Sequence, residues 1–446
     1  MLIRNTPDVY EKLQHLGGMA TDDILAPPSK LDTAAPRPDW SGVGGRGGRT
    51  PYAGVYRAAM PGGKRMSLLR VMFTDFCMMD CHYCPNSKWV PRKRYGFKLD
   101  ELVNVFSDMH QRQMVDGLFL SSGIFKDPNT TQARLTEVVE AVRRRGFKGY
   151  IHLKVMPGTS DESLLDAAAR LGTRLSINME APSEQHLGKL SRIKQFNEGM
   201  LQPMQRINQL MQEQYSGAVG QATQLVVGAA DESDMDIHRR MRSLYGEMGF
   251  KRVYYSAFRP IRYTPLEEHP PTPAIREHRL YQLDWLTRIY GYSDDELRPA
   301  FDDAGFLELR ADPKLMIAVG QQDRFPMDVN AASETDLLRV PGIGPTAAQR
   351  IVRQRKEHAI TLRRELQAMG VVLKRALPFL RFPGHKPEPA RQGALPLFDS
   401  PARLDQGPSR QQAAVLHEQY APHGCDGCPL HASTCGMPSP AAANAA

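Results

Sequence analysis

From Ser67 onward the chain alternates short apolar runs with longer stretches whose apolar residues recur every three or four positions. The short runs predict strands over Ser67–Phe73, Gly117–Ser121, Gly149–Lys154, Arg174–Met179, Thr223–Val227 and Arg252–Ser256. The amphipathic stretches predict helices over Leu99–Gln113, Thr131–Arg145, Glu162–Leu171, Asn197–Gln214 and Met235–Met248. Strand-then-helix repetition builds a parallel sheet covered by its helices. Six such repeats predict an α/β fold: a partial (β/α)6 TIM-like barrel, with its chemistry at the C-terminal ends of the strands.

The pattern also divides the chain. Residues 1–60 read as an N-terminal arm, partly flexible, since 26–50 are rich in Pro and Gly without periodicity. The barrel is expected over 61–262, a helical connection over 263–325 and a second helical domain over 326–385. A linker and Cys-rich tail follow over 386–446. No apolar run is long enough to cross a membrane, and the N-terminus lacks the apolar core of a signal peptide. A cytoplasmic location without a membrane partner is the expectation.

Composition adds two points. The chain carries a net +8, and the excess is local: Pro326–Lys386 holds eleven Lys and Arg against five Asp and Glu, or +6. An anionic partner suits that segment. The six cysteines fall into two groups, Cys77, Cys81 and Cys84 in "CMMDCHYCPNS" and Cys425, Cys428 and Cys435 in "HGCDGCPLHASTCG". In a reducing compartment such clusters more often bind metal than pair as disulfides.

Three thiolates leave a structural zinc site one ligand short, unless His82 or Asp80 completes it. They suffice for three irons of a 4Fe–4S cluster, with the fourth iron open. The C-x₃-C-x₂-C spacing, with Tyr83 before the last cysteine, resembles the radical S-adenosylmethionine (SAM) superfamily. That resemblance implies a 4Fe–4S cluster on Cys77, Cys81 and Cys84 that chelates SAM. It also implies one-electron cleavage to a 5′-deoxyadenosyl radical, which abstracts hydrogen from a substrate, and an electron donor such as flavodoxin or ferredoxin.

Further strand ends fit the same resemblance. Ser121, Ser122 and Gly123 stand where the superfamily usually has Gly-Gly-Glu for the methionine ammonium, so hydroxyls or carbonyls would accept in place of the missing acid. In "LSINMEAPS", Ser176, Asn178 and Glu180 share a face by period two, where ribose contacts would lie. In "QLVVGAAD", Gln224, Val226, Gly228 and Asp231 follow a loose superfamily pattern in which only Gly228 is identical. Tyr83, Ser121, Ser122, Gly123, Glu180, Gln224 and Gly228 are therefore expected to frame the cosubstrate.

Asp328–Arg355 reads as two helices joined by Pro341-Gly342-Ile343-Gly344, with an apolar seam of Leu337, Leu338, Val340, Ile343, Ala347, Ala348, Ile351 and Val352. The glycines let backbone N–H groups reach a phosphate at the next helix's N-terminus. This closely resembles the helix-hairpin-helix of DNA-repair and competence proteins, and implies DNA contacts from Gly342, Ile343, Gly344, Thr346 and Arg350. Some glycosylases carry a catalytic lysine where this chain has Thr346, so no glycosylase activity is expected here. The C-terminal cysteines resemble part of a glycosylase iron–sulfur motif. Their fourth ligand is missing unless His417, His423 or His431 supplies it, which leaves a second cluster, a zinc site or a remnant.

Over about residues 52–385, stretches such as "GLFLSSGI", "GYIHLKVMPG", "RVYYSAFRPI" and "DVNAASETDLLRVPGIG" resemble radical SAM proteins of DNA modification or repair that occur beside a uracil-DNA-glycosylase-like protein. The resemblance implies a radical SAM enzyme acting on a nucleic acid. Its alternatives are radical modification of that glycosylase-like partner, and a non-catalytic DNA-binding iron–sulfur adaptor.

Overall fold

The computed structural model of the protein describes residues 7–20, 54–59, 65–215 and 220–385. Helix α1 (Val9–Met19) begins at Asp8, whose carboxylate accepts from Glu11 N at 2.8 Å. Strand β1 (Val55–Ala59) pairs antiparallel with β2 (Arg65–Met72). Then β3 (Gly117–Ser121), β4 (Tyr150–Lys154), β5 (Arg174–Ser176), β6 (Gly220–Val227) and β7 (Arg252–Ala257) each add parallel to the strand before. The intervening helices are α2 (Leu99–Gln111), α3 (Pro128–Arg144), α4 (Glu162–Leu171), α5 (Glu184–Leu190), α6 (Gln202–Glu213) and α7 (Asp234–Gly246). The sheet runs in unbroken sequence order, β1 to β7, and curls into a half-barrel.

Burial explains the strand signal. All five residues of β3 are buried, as a strand covered on both faces requires. The half-barrel is the α/β architecture expected from the periodicity, with β1 as an additional antiparallel edge. Strand β5 stops short because its continuation meets β6 out of register: Met179 N donates to Thr223 Oγ1 at 3.0 Å, and Glu180 then bridges to Leu225. A π-turn over Asn197–Leu201 precedes α6. Helix α5 gave no periodic signal, since its seven residues bury only Leu187 and Leu190.

The chain divides into two compact units, with the sheet in one and described residues 273–385 in the other, joined there by Ser233–Arg239. The second contains α8 (Ala274–Arg288), α9 (Asp294–Leu297), α10 (Pro313–Gly320), β8 (Met327–Asp328), α11 (Glu334–Leu337), α12 (Pro345–Gln354), α13 (Arg363–Ala368), α14 (Leu373–Ala376) and β9 (Leu380–Arg381). Strands β8 and β9 pair parallel. The whole expected seam of the hairpin lies in or against one core, which Leu315 and Ala318 of α10 also enter. Helices α13 and α14 form a second hairpin through Gly370, whose φ is +92°. It is bonded to the first: Val372 N donates to Gly342 O at 2.9 Å.

Arg339 locks this unit from inside. Its buried guanidinium donates to both oxygens of Glu296, at 2.9 and 2.7 Å, and to the carbonyls of Tyr290 at 2.8 Å and Gly291 at 3.1 Å. The Arg339 bonds hold the Glu296 carboxyl down at about 2, against 4.5 for the free group. A depressed carboxyl stabilises fully above its unfolded value and stops doing so as pH falls through its folded value. Acid titration from pH 5 to 2 should therefore remove about 2 kcal/mol of unfolding free energy through this pair, after discounting for partial exposure. Arg339→Met should cost about 3–5 kcal/mol in urea unfolding at neutral pH and shrink that acid-dependent component, leaving the part that Arg324 and Ser293 N supply.

Candidate active site

The three cysteines lie in the irregular loop between β2 and α2, at the C-terminal edge of the parallel strands. Cys81 is buried, and Cys77 and Cys84 are partly so. The loop rests on the end of β3. Met78 N donates to Ile124 O at 2.8 Å, and Gly123 N to Thr74 O at 2.7 Å. A Cβ on Gly123 would stand 2.2 Å from Phe76 O and 3.1 Å from Cys77 Cβ. Only a residue without a side chain lets the thiol loop come this close.

Beside Cys81 lies a buried polar group that the sequence patterns did not reveal. Lys194 Nζ donates to Tyr83 Oη at 2.7 Å and to Glu180 Oε1 at 3.1 Å, and the lysine and glutamate side chains are each only 6% exposed. Burial pushes the Cys81 thiol up to about 11, opposed by the Lys194 charge and reinforced by Cys77. Burial likewise raises the Tyr83 phenol, helped by the charges of Cys81 and Glu180. Burial alone would lower Lys194, yet the Cys81 and Glu180 charges raise it. The lysine is therefore a fixed cation, and it feels both Cys81 and Cys84.

Glu180 brings its carboxylate here at a backbone cost. Its φ is +66°, a left-handed conformation that costs a non-glycine residue about 1 kcal/mol or more. Two ladder bonds hold it: Glu180 N donates to Gln224 O at 2.9 Å, and Val226 N to Glu180 O at 2.8 Å. Its second oxygen, Oε2, is buried without a hydrogen-bond partner, as is Ser121 Oγ at the end of β3.

The remaining expected residues are placed as follows. Ser122 Oγ donates to Gly123 O at 2.7 Å. Ser176 Oγ is 2.8 Å from His152 Nε2, and Asn178 Oδ1 accepts from Lys154 Nζ at 2.8 Å, so both are tied to β4. Gln224 is half-buried and contributes its carbonyl to Glu180. Gly228 takes φ +82° and donates its N–H to the carboxylate of Glu232. That buried acid also accepts from Ala230 N at 3.0 Å, while Asp231, the acid of the sequence pattern, is an exposed partner of Lys189 at 3.0 Å.

Three thiolates are the set that a 4Fe–4S cluster takes, one to each of three irons. Asp80 is otherwise engaged: its carboxylate accepts from Ser191 Oγ at 2.5 Å and Arg192 N at 3.0 Å. His82 Nδ1–H donates to Lys189 O at 2.8 Å. The orphaned Glu180 Oε2 and Ser121 Oγ are acceptors that a bound ammonium could satisfy. Cys425, Cys428 and Cys435, with His417, His423 and His431, lie outside the described residues.

In the second unit, Pro341–Gly344 forms the turn between α11 and α12. Gly342 has φ +85°, and a Cβ there would meet Val372 O at 2.7 Å. Ile343 is buried in the core and its N–H donates to Val340 O at 3.1 Å, so neither its side chain nor its backbone faces a ligand as the sequence suggested. Its carbonyl accepts from buried Lys314 Nζ at 2.6 Å, which fixes the turn. Thr346, Arg350 and Arg353 are exposed on one side of α12, with Gly344 half-buried at its start and Lys356 exposed just beyond its end. Arg350 makes one long bond to Met369 O at 3.4 Å, whereas Arg355 is committed to the carbonyls of Val329 and Ala332.

Comparison with known proteins agrees with these two sites. The family model described as "Radical SAM superfamily" matches residues 71–222, and that described as "Helix-hairpin-helix motif" matches 325–374. Over that first segment the chain is similar to the radical SAM superfamily. Solved structures with a similar fold include HydG, a maturase of the [FeFe]-hydrogenase (12% identity, TM-score 0.38, covering 47% of this chain and 46% of that one). Methylornithine synthase PylB is 17% identical (TM-score 0.38, 48% and 60%). The enzyme anSMEcpe with bound AdoMet is 15% identical (TM-score 0.36, 54% and 62%). The chain thus spans less than two thirds of each of these structures. No curated protein matches its sequence.

Gly123→Ala should force the thiol loop off β3. The expected results are a loss of about 1–3 kcal/mol in unfolding free energy and less iron retained after anaerobic reconstitution, measured by iron and sulfide assay.

Proposed function

We propose that the protein is a radical SAM enzyme whose substrate is a nucleic acid, most simply DNA undergoing repair or modification. The observation that carries the first half is the join between the thiol loop and the buried Tyr83–Lys194–Glu180 group, with Glu180 Oε2 left to accept. When bound, the cluster and SAM supply one-electron cleavage and the radical that abstracts hydrogen.

The chain's own residues prepare that chemistry. Cys77, Cys81 and Cys84 hold the cluster, and Gly123 lets their loop sit against β3. Glu180 Oε2 and Ser121 Oγ receive the cosubstrate's ammonium, taking over from the acid missing after Ser122. Lys194 orients Glu180, and its charge offsets the negative charge of the thiolates. Gly228 offers close backbone approach to the adenine, with its loop braced by Glu232. Burial excludes water around Cys81 and Glu180.

The second half rests on the hairpin match and on the exposed basic side of α12. The backbone at Gly344 and the start of α12 would meet phosphate, with Thr346, Arg350, Arg353 and Lys356 around it, giving affinity without base preference. A uracil-DNA-glycosylase-like protein would act on the same DNA.

Two tests follow. Anaerobically reconstituted protein, once reduced, should convert SAM to 5′-deoxyadenosine; Glu180→Gln should lower that rate by at least tenfold while retaining its iron. A fully loaded, reduced protein without turnover would overturn the enzymatic reading. Arg350→Ala/Arg353→Ala should weaken binding to duplex DNA about equally across sequences and lower the salt slope by about 2, read by fluorescence anisotropy.

A further inference from the structure

The loop that follows β7 is bonded more closely than a connection requires. It leaves the sheet at Phe258 and returns at Thr272, and both ends bond one carbonyl. Phe258 N donates to Val227 O at 2.9 Å, and Thr272 Oγ1 donates to it at 2.8 Å. Thr272 N also donates to Phe258 O at 2.9 Å, which closes the loop on itself. Val227 directly precedes Gly228, so the loop stands on the strand end proposed above to approach the adenine. It packs there as well: the His269 ring meets the Phe258 ring edge-on at 5.2 Å, and His269 Nε2 lies 3.9 Å from Asp231 Oδ1.

The tip of this loop presents Tyr263, which is 51% exposed. Its φ is +71°, a left-handed conformation that a bulky side chain seldom adopts. Glu267 Oε2 holds it there by accepting from Tyr263 N at 2.7 Å. Buried Thr264 stiffens the turn, donating to Ile261 O from its N–H at 3.2 Å and from Oγ1 at 2.7 Å. Among the described residues four non-glycines take such angles, and three of them, Glu180, Asp231 and Tyr263, follow the successive strands β5, β6 and β7. Strain of this kind collects at binding and catalytic sites. Half of Tyr263 faces solvent and glycine would take its angles freely, so packing does not account for a tyrosine there.

The same tip carries Arg259 and Arg262, both exposed, with the Arg262 guanidinium 5.0 Å from the centre of the Tyr263 ring. Glu267 is committed to the backbone and Glu268 is exposed beside it, so two acids balance the two arginines and the loop is no general anion patch. A ring beside two guanidiniums fits a ligand that joins a flat π-face to phosphates, namely a nucleotide whose base is unpaired. We propose that Tyr263 stacks on an unpaired base while Arg259 and Arg262 meet the phosphates beside it, so that the substrate is single-stranded or locally opened nucleic acid. Cys81 and Glu180 are buried, and a base held within a duplex could not reach them. The inference rests on the nucleic-acid reading above and names the form of that substrate.

The test uses the full chain and two fluorescein-labelled probes, a short pyrimidine single strand and its duplex, read by anisotropy. Tyr263→Ala should weaken single-strand binding about tenfold and leave duplex binding unchanged, whereas Tyr263→Phe should bind as wild type does. Tyr263→Gly should lose the same affinity without lowering the urea midpoint, which a merely structural tyrosine would not allow. Arg259→Ala/Arg262→Ala should lower the single-strand salt slope by about 1.4. A single strand carrying 5-iodouracil should photocross-link at Tyr263, located by peptide mass spectrometry. Unchanged single-strand affinity in Tyr263→Ala would overturn the proposal, as would an equal loss on both probes. A wild type that binds neither probe would instead overturn the nucleic-acid reading itself.

Discussion

A long irregular segment inside a barrel has to satisfy its own backbone, and the cysteine loop does so with a few buried polar side chains. Asp75 accepts from Tyr95 N at 2.6 Å and faces His15 at 2.9 Å and Arg92 at 3.1 Å. Arg94 binds the carbonyls of Asp75, Asn86, Ser87 and Val90. Asp80 ties the loop to the segment after α5. Desolvation would raise both carboxyls, but the bonds they accept more than compensate and lower them. The thiols keep their places because these groups leave the loop little freedom, and the N-terminal helix takes part through His15.

The barrel was legible in the sequence because its strands are buried on both faces and its helices on one, which imposes two distinct periods. Elements lacking such a face left little trace. Helix α5 is short, and β1 is an edge strand read as part of an arm. In the second hairpin, Gly370 supplies the left-handed turn residue, but the surrounding "QAMGVVL" has no paired glycines to announce it.

The site was legible in part for a similar reason. Cysteine spacing is a local signal, and period two along "LSINMEAPS" singled out Glu180, although its place depends on the chain leaving the strand and pairing again with Leu225. Lys194 stands 14 positions after Glu180 in a stretch without pattern, and only folding reveals that they meet. The acid after β6 shows how narrow such readings are. Asp231 matched in register, yet its neighbour Glu232 is the one turned inward to brace Gly228.

The left-handed backbone at Glu180 has a consequence for how this chain can change over time. Glycine or asparagine would fit those angles with less strain. Simple drift toward stability would therefore favour losing the carboxylate. With Glu180 Oε2 receiving the cosubstrate as proposed, position 180 is one where function and foldability pull in opposite directions.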